Sequence, residues 1–166
     1  MIRWKPGATI LIVCHANTAR SVMAQEVLKR MLAERGYDGA IRVRSGGVGI
    51  YARDGMLASL DARIVLREIG IDLGDDGPLS TDLRRHRQLV ADADVVVTMT
   101  EEQKTIVRGF LEAEGRRVVT LRECAGESGD IGDPATLGEE AFRASRDEIQ
   151  RCLDLGIDRL LALLSS

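Results

Sequence analysis

The chain has 166 residues, with 23 Lys and Arg against 26 Asp and Glu, a formal net charge of −3, 45% hydrophobic and 3% aromatic residues. That length suits a single domain, 1–166, burying roughly 70% of its unfolded surface, and the slight acidity without a long basic stripe argues against general nucleic-acid binding. No apolar run approaches the ~20 residues of a membrane span, Ala8–Val13 is too short for a secretory signal, and the cysteines lack metal-ligand or disulfide-scaffold spacing, so a cytoplasmic protein without metal or cofactor is expected.

Strand-like and helix-like segments alternate along the chain. Ala8–Val13 is a continuous apolar run with β-branched residues, as in a strand buried on both faces. Thr18–Arg35 places Val22, Met23, Val27, Leu28, Met31 and Leu32 at helical spacing and stops before Gly36. Ile41–Ser45 reads as a second strand, broken by Gly46 and Gly47, and Ser59–Ile69 as a second helix ending at Gly70. Ser80 or Thr81 can cap a short helix through Val90, followed by the β-branched strand Asp94–Met99. Thr100 with Gln103 has the form of a capping box for a helix to about Ala113. Arg117–Leu121 is a fourth strand, and an amphipathic helix runs from Glu139 to Leu164 after a Gly- and Asp-rich loop. This order predicts an α/β sandwich with a mostly parallel sheet, whose ligands sit beyond the carboxyl ends of the strands.

The loop after the first strand carries the strongest chemical signal. Cys14-His15-Ala16-Asn17-Thr18-Ala19-Arg20-Ser21 contains no glycine and no Gly-Lys-Ser/Thr, so it is neither a dinucleotide fingerprint nor an ordinary nucleotide-phosphate loop. A Cys at a strand end, five residues, then Arg and Ser at a helix start instead bends backbone N–H groups around one centre, with the helix dipole behind them. Phosphate or another oxyanion fits that centre: His15, Ala16, Asn17, Thr18, Ala19 and Ser21 line it, and Arg20 grips two oxygens with its planar fork. The same positive field favours the Cys14 thiolate, and Ser21 can donate to the sulfur when it leaves. Asn17 tolerates a left-handed backbone and can tie the loop to neighbouring turns. The bland alternative is a strand-to-helix turn with Cys14 as a small buried hydrophobe.

The run Ile12–Gln25 resembles the signature of the low-molecular-weight protein tyrosine phosphatases. Val43–Val48, Asp54–Met56, Val65–Leu73, Ala93–Val95, Thr98–Thr100 and Gly129–Pro134 resemble family segments in the same order. The resemblance implies a three-layer α/β/α sandwich with a four-stranded parallel sheet of flavodoxin-like type. It also implies no metal, a phosphorylated protein substrate, and a phospho-cysteine intermediate on Cys14. The family's general acid falls on Asp133, which Pro134 holds extended. By itself Asp133-Pro134 reads equally as a loop opener ahead of the last helix, and Asp130 is either a second carboxylate that helps retain a proton or a structural loop ligand.

Thr18 bears on which phosphorylated residue is removed. The tyrosine-specific members usually carry a β-branched aliphatic there, whereas the bacterial branch resembling protein-arginine phosphatases carries Thr, whose hydroxyl can bond a guanidinium or orient water; alternatively Thr, near-isosteric with Ile, only packs, and the substrate is phosphotyrosine. Ala135 and Thr136 stand where tyrosine phosphatases place aromatics beside a phenyl ring, which leans toward phosphoarginine. His15-Ala16 and Val22 depart from the usual residue-Gly pair and Pro, and Ala19 replaces a second cysteine, so no disulfide can form within this loop. Thioredoxin-coupled arsenate reductases resemble the fold as well, but their relay uses a closely spaced cysteine pair, and Cys124 and Cys152 lie far apart in sequence. Trp4 is expected to cover an edge, Tyr51 to lie at the surface or to supply an aromatic wall on the active-site side, and Arg84-Arg85-His86-Arg87 to form a solvated helix face or to dock an acidic partner.

Overall fold

A computed structural model describes residues 4–165. Strand β1 (Ala8–Cys14) is buried along its whole length because it lies inside the sheet with helices on either side. Its partners are β2 (Ile41–Gly47) and β3 (Val95–Thr98), and β3 pairs in turn with β4 (Arg117–Thr120). The order is β2-β1-β3-β4, with every pair parallel, as the pattern predicts.

Side chains alternate across β1 and divide the interior in two. Ile10, Ile12 and Cys14 join α1 (Arg20–Glu34), α2 (Leu60–Glu68), α5 (Leu121–Cys124) and α6 (Glu139–Ser165) on one face. Leu11 and Val13 meet Leu83, Val90 of α3 (Gln88–Asp92), Val107 of α4 (Glu101–Arg108) and Phe110 on the other. The three layers of the sandwich are thus present. Among the described residues, no helix is long and apolar enough to cross a membrane.

Four boundaries differ from the pattern-based reading, the first being the helix read to about Ala113, which ends at Arg108 and is followed by a separate 3-10 turn at Leu111–Ala113. Residues 80–87 form no helix, because their backbone is engaged sideways. Ser80 N–H donates to Met56 O at 2.8 Å, Thr81 O accepts Gly47 N–H at 2.9 Å, and Leu83 N–H donates to Gly47 O at 2.9 Å. Only from Gln88 does a helix form, and Leu83 is buried as its apolar character requires. Gly46 and Gly47 do not break β2 but complete it, pairing with Val13 and Cys14. After β4, the Thr120–Glu123 capping box starts the short α5, which sequence periodicity is too brief to reveal. Trp4 lies against α6, not a sheet edge: its indole N–H donates to Leu161 O at 3.2 Å and its ring meets Tyr37 edge-on.

Chain order moves one way from β1 to β2 and back across β1 to β3, so the switch in direction falls beside β1. Crevices for ligands open at such points, beyond the carboxyl ends of the strands, and Cys14 is the last residue of β1.

Candidate active site

The register places Cys14 level with Gly47, so the loop from Cys14 to Arg20 must pass over the end of β2. A Cβ on Gly47 would stand 2.6 Å from His15 O and 2.9 Å from the Ala16 carbonyl carbon. Glycine is therefore required beneath the loop. A Cβ on Gly49 would lie 2.1 Å from His15 Nδ1, so that glycine makes room for the imidazole at the rim. Val48 N–H and Gly49 N–H then donate to Cys14 O and His15 O at 3.1 and 2.9 Å, tying the loop down from outside.

Asn17 organises the loop from within. Its φ of 62° is left-handed, which an asparagine accepts more readily than most side chains. Thr81 N–H donates to Asn17 Oδ1 at 2.9 Å, which leaves Nδ2 to donate to Ser21 Oγ at 2.7 Å and Ser45 Oγ at 3.0 Å. Because Ser21 Oγ accepts from Asn17, its own proton is free to point at Cys14 Sγ, 2.9 Å away. Asn17 N–H reaches the same sulfur at 3.2 Å. Two donor groups thus face the Cys14 sulfur.

The loop ends at the amino terminus of α1, where Ala19 offers no side-chain cap and no acidic residue occupies the first turn. Among the described residues, no acceptor takes the backbone N–H groups of Ala16, Thr18, Ala19 or Arg20. Unpaired N–H groups at a helix start, with the dipole behind them, form a cradle for an anion. The small cavity they surround, about 50 Å³, is lined by Cys14, Ala16, Thr18, Arg20, Asp133 and Ala135.

Arg20 joins the two halves of the site. The residue is 5% exposed, with Nη1 donating to Ile131 O at 2.7 Å and Nη2 3.6 Å from Asp133 Oδ2. Asp133 is otherwise half exposed and oriented by Ala135 N–H, which donates to Oδ1 at 3.0 Å. Asp130 is the structural ligand of the two readings open to it: its Oδ1 accepts Glu101 N–H at 2.8 Å, at the first turn of α4. Thr18 has its carbonyl bonded by Ser59 N–H at 2.9 Å, while its hydroxyl has no protein partner among the described residues. His15 lies at the rim beside Tyr51, with ring centroids 5.6 Å apart. Tyr51 itself is largely exposed and does not line the cavity.

The family described as low molecular weight phosphotyrosine protein phosphatase matches residues 9–160. The chain belongs to this family. It is 34% identical to a protein-arginine-phosphatase of Geobacillus stearothermophilus, over 91% of this chain and 95% of that protein. Among solved structures, an arginine phosphatase variant with a phosphorylated active-site serine superposes with a TM-score of 0.80 at 29% identity, covering 93% of this chain and 95% of the other. A low molecular weight protein tyrosine phosphatase from T. tengcongensis superposes with a TM-score of 0.78 at 29% identity, covering 92% and 99%. The chain is accordingly a cysteine-based protein phosphatase of this family, and a hydrolase.

The two further cysteines of the phosphatase are poor partners for a redox relay. Burial pushes the Cys124 thiol up to about 12, with the Glu123 carboxylate adding to the effect. Cys152, in α6, is also raised by burial. Both are packed in the interior, and α5 approaches α6 so closely that a Cβ on Gly156 would stand 2.7 Å from the Cys124 backbone. Sequence reading missed Ser45, Gly47 and Thr81 as supports of the loop. The Gly46-Gly47 pair was the available signal, since a glycine ending a strand often marks close approach of another backbone.

Proposed function

We propose that this phosphatase acts on phosphoarginine side chains of proteins, with Cys14 as nucleophile, Arg20 and the loop N–H groups as oxyanion ligands, and Asp133 as the proton carrier. His15, Ala16, Asn17, Thr18, Ala19 and Ser21 complete the phosphate cradle. The observation that carries the preference is Thr18: it lines the cavity and, among the described residues, no protein group engages its hydroxyl, so that hydroxyl is available to a guanidinium nitrogen or to the attacking water. Ala135, not an aromatic, stands beside Asp133 on the cavity wall and offers no stacking surface for a phenyl ring. Similarity to a protein-arginine-phosphatase over most of both chains supports the same reading.

The chemistry proceeds in two displacements. Cys14 Sγ attacks phosphorus, the S–P bond forms as the P–N bond breaks, and a proton on Asp133 passes to the departing guanidino nitrogen. Arg20 and the backbone donors stabilise the charge spread over the three equatorial oxygens. Water then attacks phosphorus, gives its proton to the Asp133 carboxylate, and expels the sulfur as a thiolate held by Ser21 and the Asn17 N–H. The phosphorylated active-site serine of the related arginine phosphatase variant supports such a covalent intermediate.

Matched phosphoarginine and phosphotyrosine peptides at neutral pH test the preference, alongside Thr18→Ile. Preferential release from phosphoarginine, lost in Thr18→Ile while a small aryl phosphate is still turned over, is the expected result. Equal or better turnover of phosphotyrosine by the unaltered protein overturns the preference and makes Thr18 a packing residue.

A further inference from the structure

We propose that a cationic groove along the outer edge of β2 docks an acidic segment of the phosphoprotein substrate, several residues from the phosphorylated side chain. This rests on the protein-phosphatase reading above. The groove encloses about 660 Å³, against about 50 Å³ for the phosphate cavity, and Arg44, Asp54, Thr81, Arg85 and His86 are among the residues that line it.

Its lining carries more positive than negative charge, with Arg44, Arg85 and Arg87 against Asp54. Among the described residues, no side-chain hydrogen bond or ion pair engages Arg44 or Arg85. Asp54, the acidic residue in the lining, is already committed, accepting from Asp82 N–H and meeting His86 Nε2, each at 2.8 Å. Arg87, also in the lining, has its guanidinium 4.4 Å from the Phe110 ring and 3.9 Å from Glu112 Oε1, so its charge is partly met within the protein. A chain with net charge −3 thus keeps two guanidiniums without ion pairs, among the described residues, in the lining of one groove. Carboxylates are the groups that complement them.

The position favours a substrate segment. Thr81 lines the groove and is bonded to the phosphate loop itself, its N–H to Asn17 Oδ1 and its carbonyl to Gly47 N–H. Arg44 lies three residues back from Gly47, which at ~3.3 Å per residue is about 10 Å from the strand end. An extended peptide held at Cys14 covers that distance in about three to six residues. Two or three exposed ion pairs of ordinary strength are worth about a tenfold change in KM.

The test uses the full chain and phosphopeptides that share one phosphorylated residue and differ in flanking Glu, Gln or Lys runs, placed on either side. The unaltered protein is expected to show about tenfold lower KM for a Glu-flanked peptide than for its Gln counterpart, with similar kcat and an advantage that fades with salt. Arg44→Glu/Arg85→Glu is expected to lose that advantage and to favour the Lys-flanked peptide, while a small aryl phosphate, too short to reach the groove, is turned over as before. No Glu preference in the unaltered protein, or a Glu preference that survives the double substitution, overturns the proposal while leaving the phosphatase reading intact. Fluorescence anisotropy of the same peptides on Cys14→Ser, with and without the groove substitutions, reads docking without turnover. Absence of hydrolysis of every phosphate substrate therefore speaks against the phosphatase reading alone.

Discussion

Asn17→Ala removes the side chain that ties the nucleophile's loop to three other elements. Its carboxamide makes hydrogen bonds of 2.7, 3.0 and 2.9 Å to Ser21, Ser45 and Thr81, and Asn17 is 1% exposed. Each such bond contributes about 1 kcal/mol net, with the larger penalty avoided where water reaches the part-buried Ser45 and Thr81 groups. Alanine at a φ of 62° adds about 1 kcal/mol of backbone strain. The sum is about 4 kcal/mol, a large share of the ~5–15 kcal/mol that holds a domain together. Asn17→Gly forfeits the same bonds without the left-handed penalty and should be less destabilised than the alanine variant by about 1 kcal/mol. Urea unfolding followed by far-UV circular dichroism measures both, and turnover of a small aryl phosphate should fall by about 10²-fold because the carboxamide no longer fixes Ser21 Oγ toward the sulfur or holds the loop in place. An Asn17→Ala stability within about 0.5 kcal/mol of the unaltered protein, or a glycine variant less stable than the alanine one, would refute this account.

The glycines beneath the loop should respond differently to the same added methyl group. Gly47→Ala presses on backbone at 2.6 Å and is expected to cost about 1–3 kcal/mol and most of the turnover, with no single rescuing substitution. Gly49→Ala presses on the His15 ring at 2.1 Å, so Gly49→Ala/His15→Ala should recover the stability that Gly49→Ala alone loses, as urea midpoints will show. Cys124→Ala/Cys152→Ala should keep phosphatase turnover within about twofold without any thioredoxin dependence, at a stability cost of about 1–3 kcal/mol from lost packing. A folded double variant without turnover would restore the redox-relay reading. Arg143 first, then Arg146, holds the Glu68 carboxyl down from 4.5 to about 2. Because the folded value is the lower one, this contribution is fully present above pH 4.5 and is lost as pH falls toward 2, so Glu68→Gln should flatten the urea midpoint over that window.

Much of the site is continuous in sequence, and for that reason it was legible without a structure. Cys14, Arg20 and Ser21 lie in one strand–loop–helix unit, and a buried strand followed at once by a helix forces the intervening backbone to converge on an anion. The parallel sheet was equally legible, since β1 and β3 are largely apolar, β-branched runs, buried along their length as a two-sided core requires. The left-handed Asn17 followed from its side-chain chemistry. What the chain order conceals is lateral. The segment 80–87 has residues able to form a helix, yet β2 and the 53–56 loop take its backbone groups first, an outcome decided by contacts about 30 residues away in sequence. The two roles open to Asp130 were separated only when folding brought Glu101 N–H to its carboxylate, and Asp133 met Arg20 only because α1 and the 129–134 loop converge at the carboxyl end of the sheet. Local spacing determined which groups the nucleophile's loop carries. Tertiary packing decided which side chains hold it in place, because hydrogen bonds between distant segments are set by register and topology, which no short stretch of sequence contains.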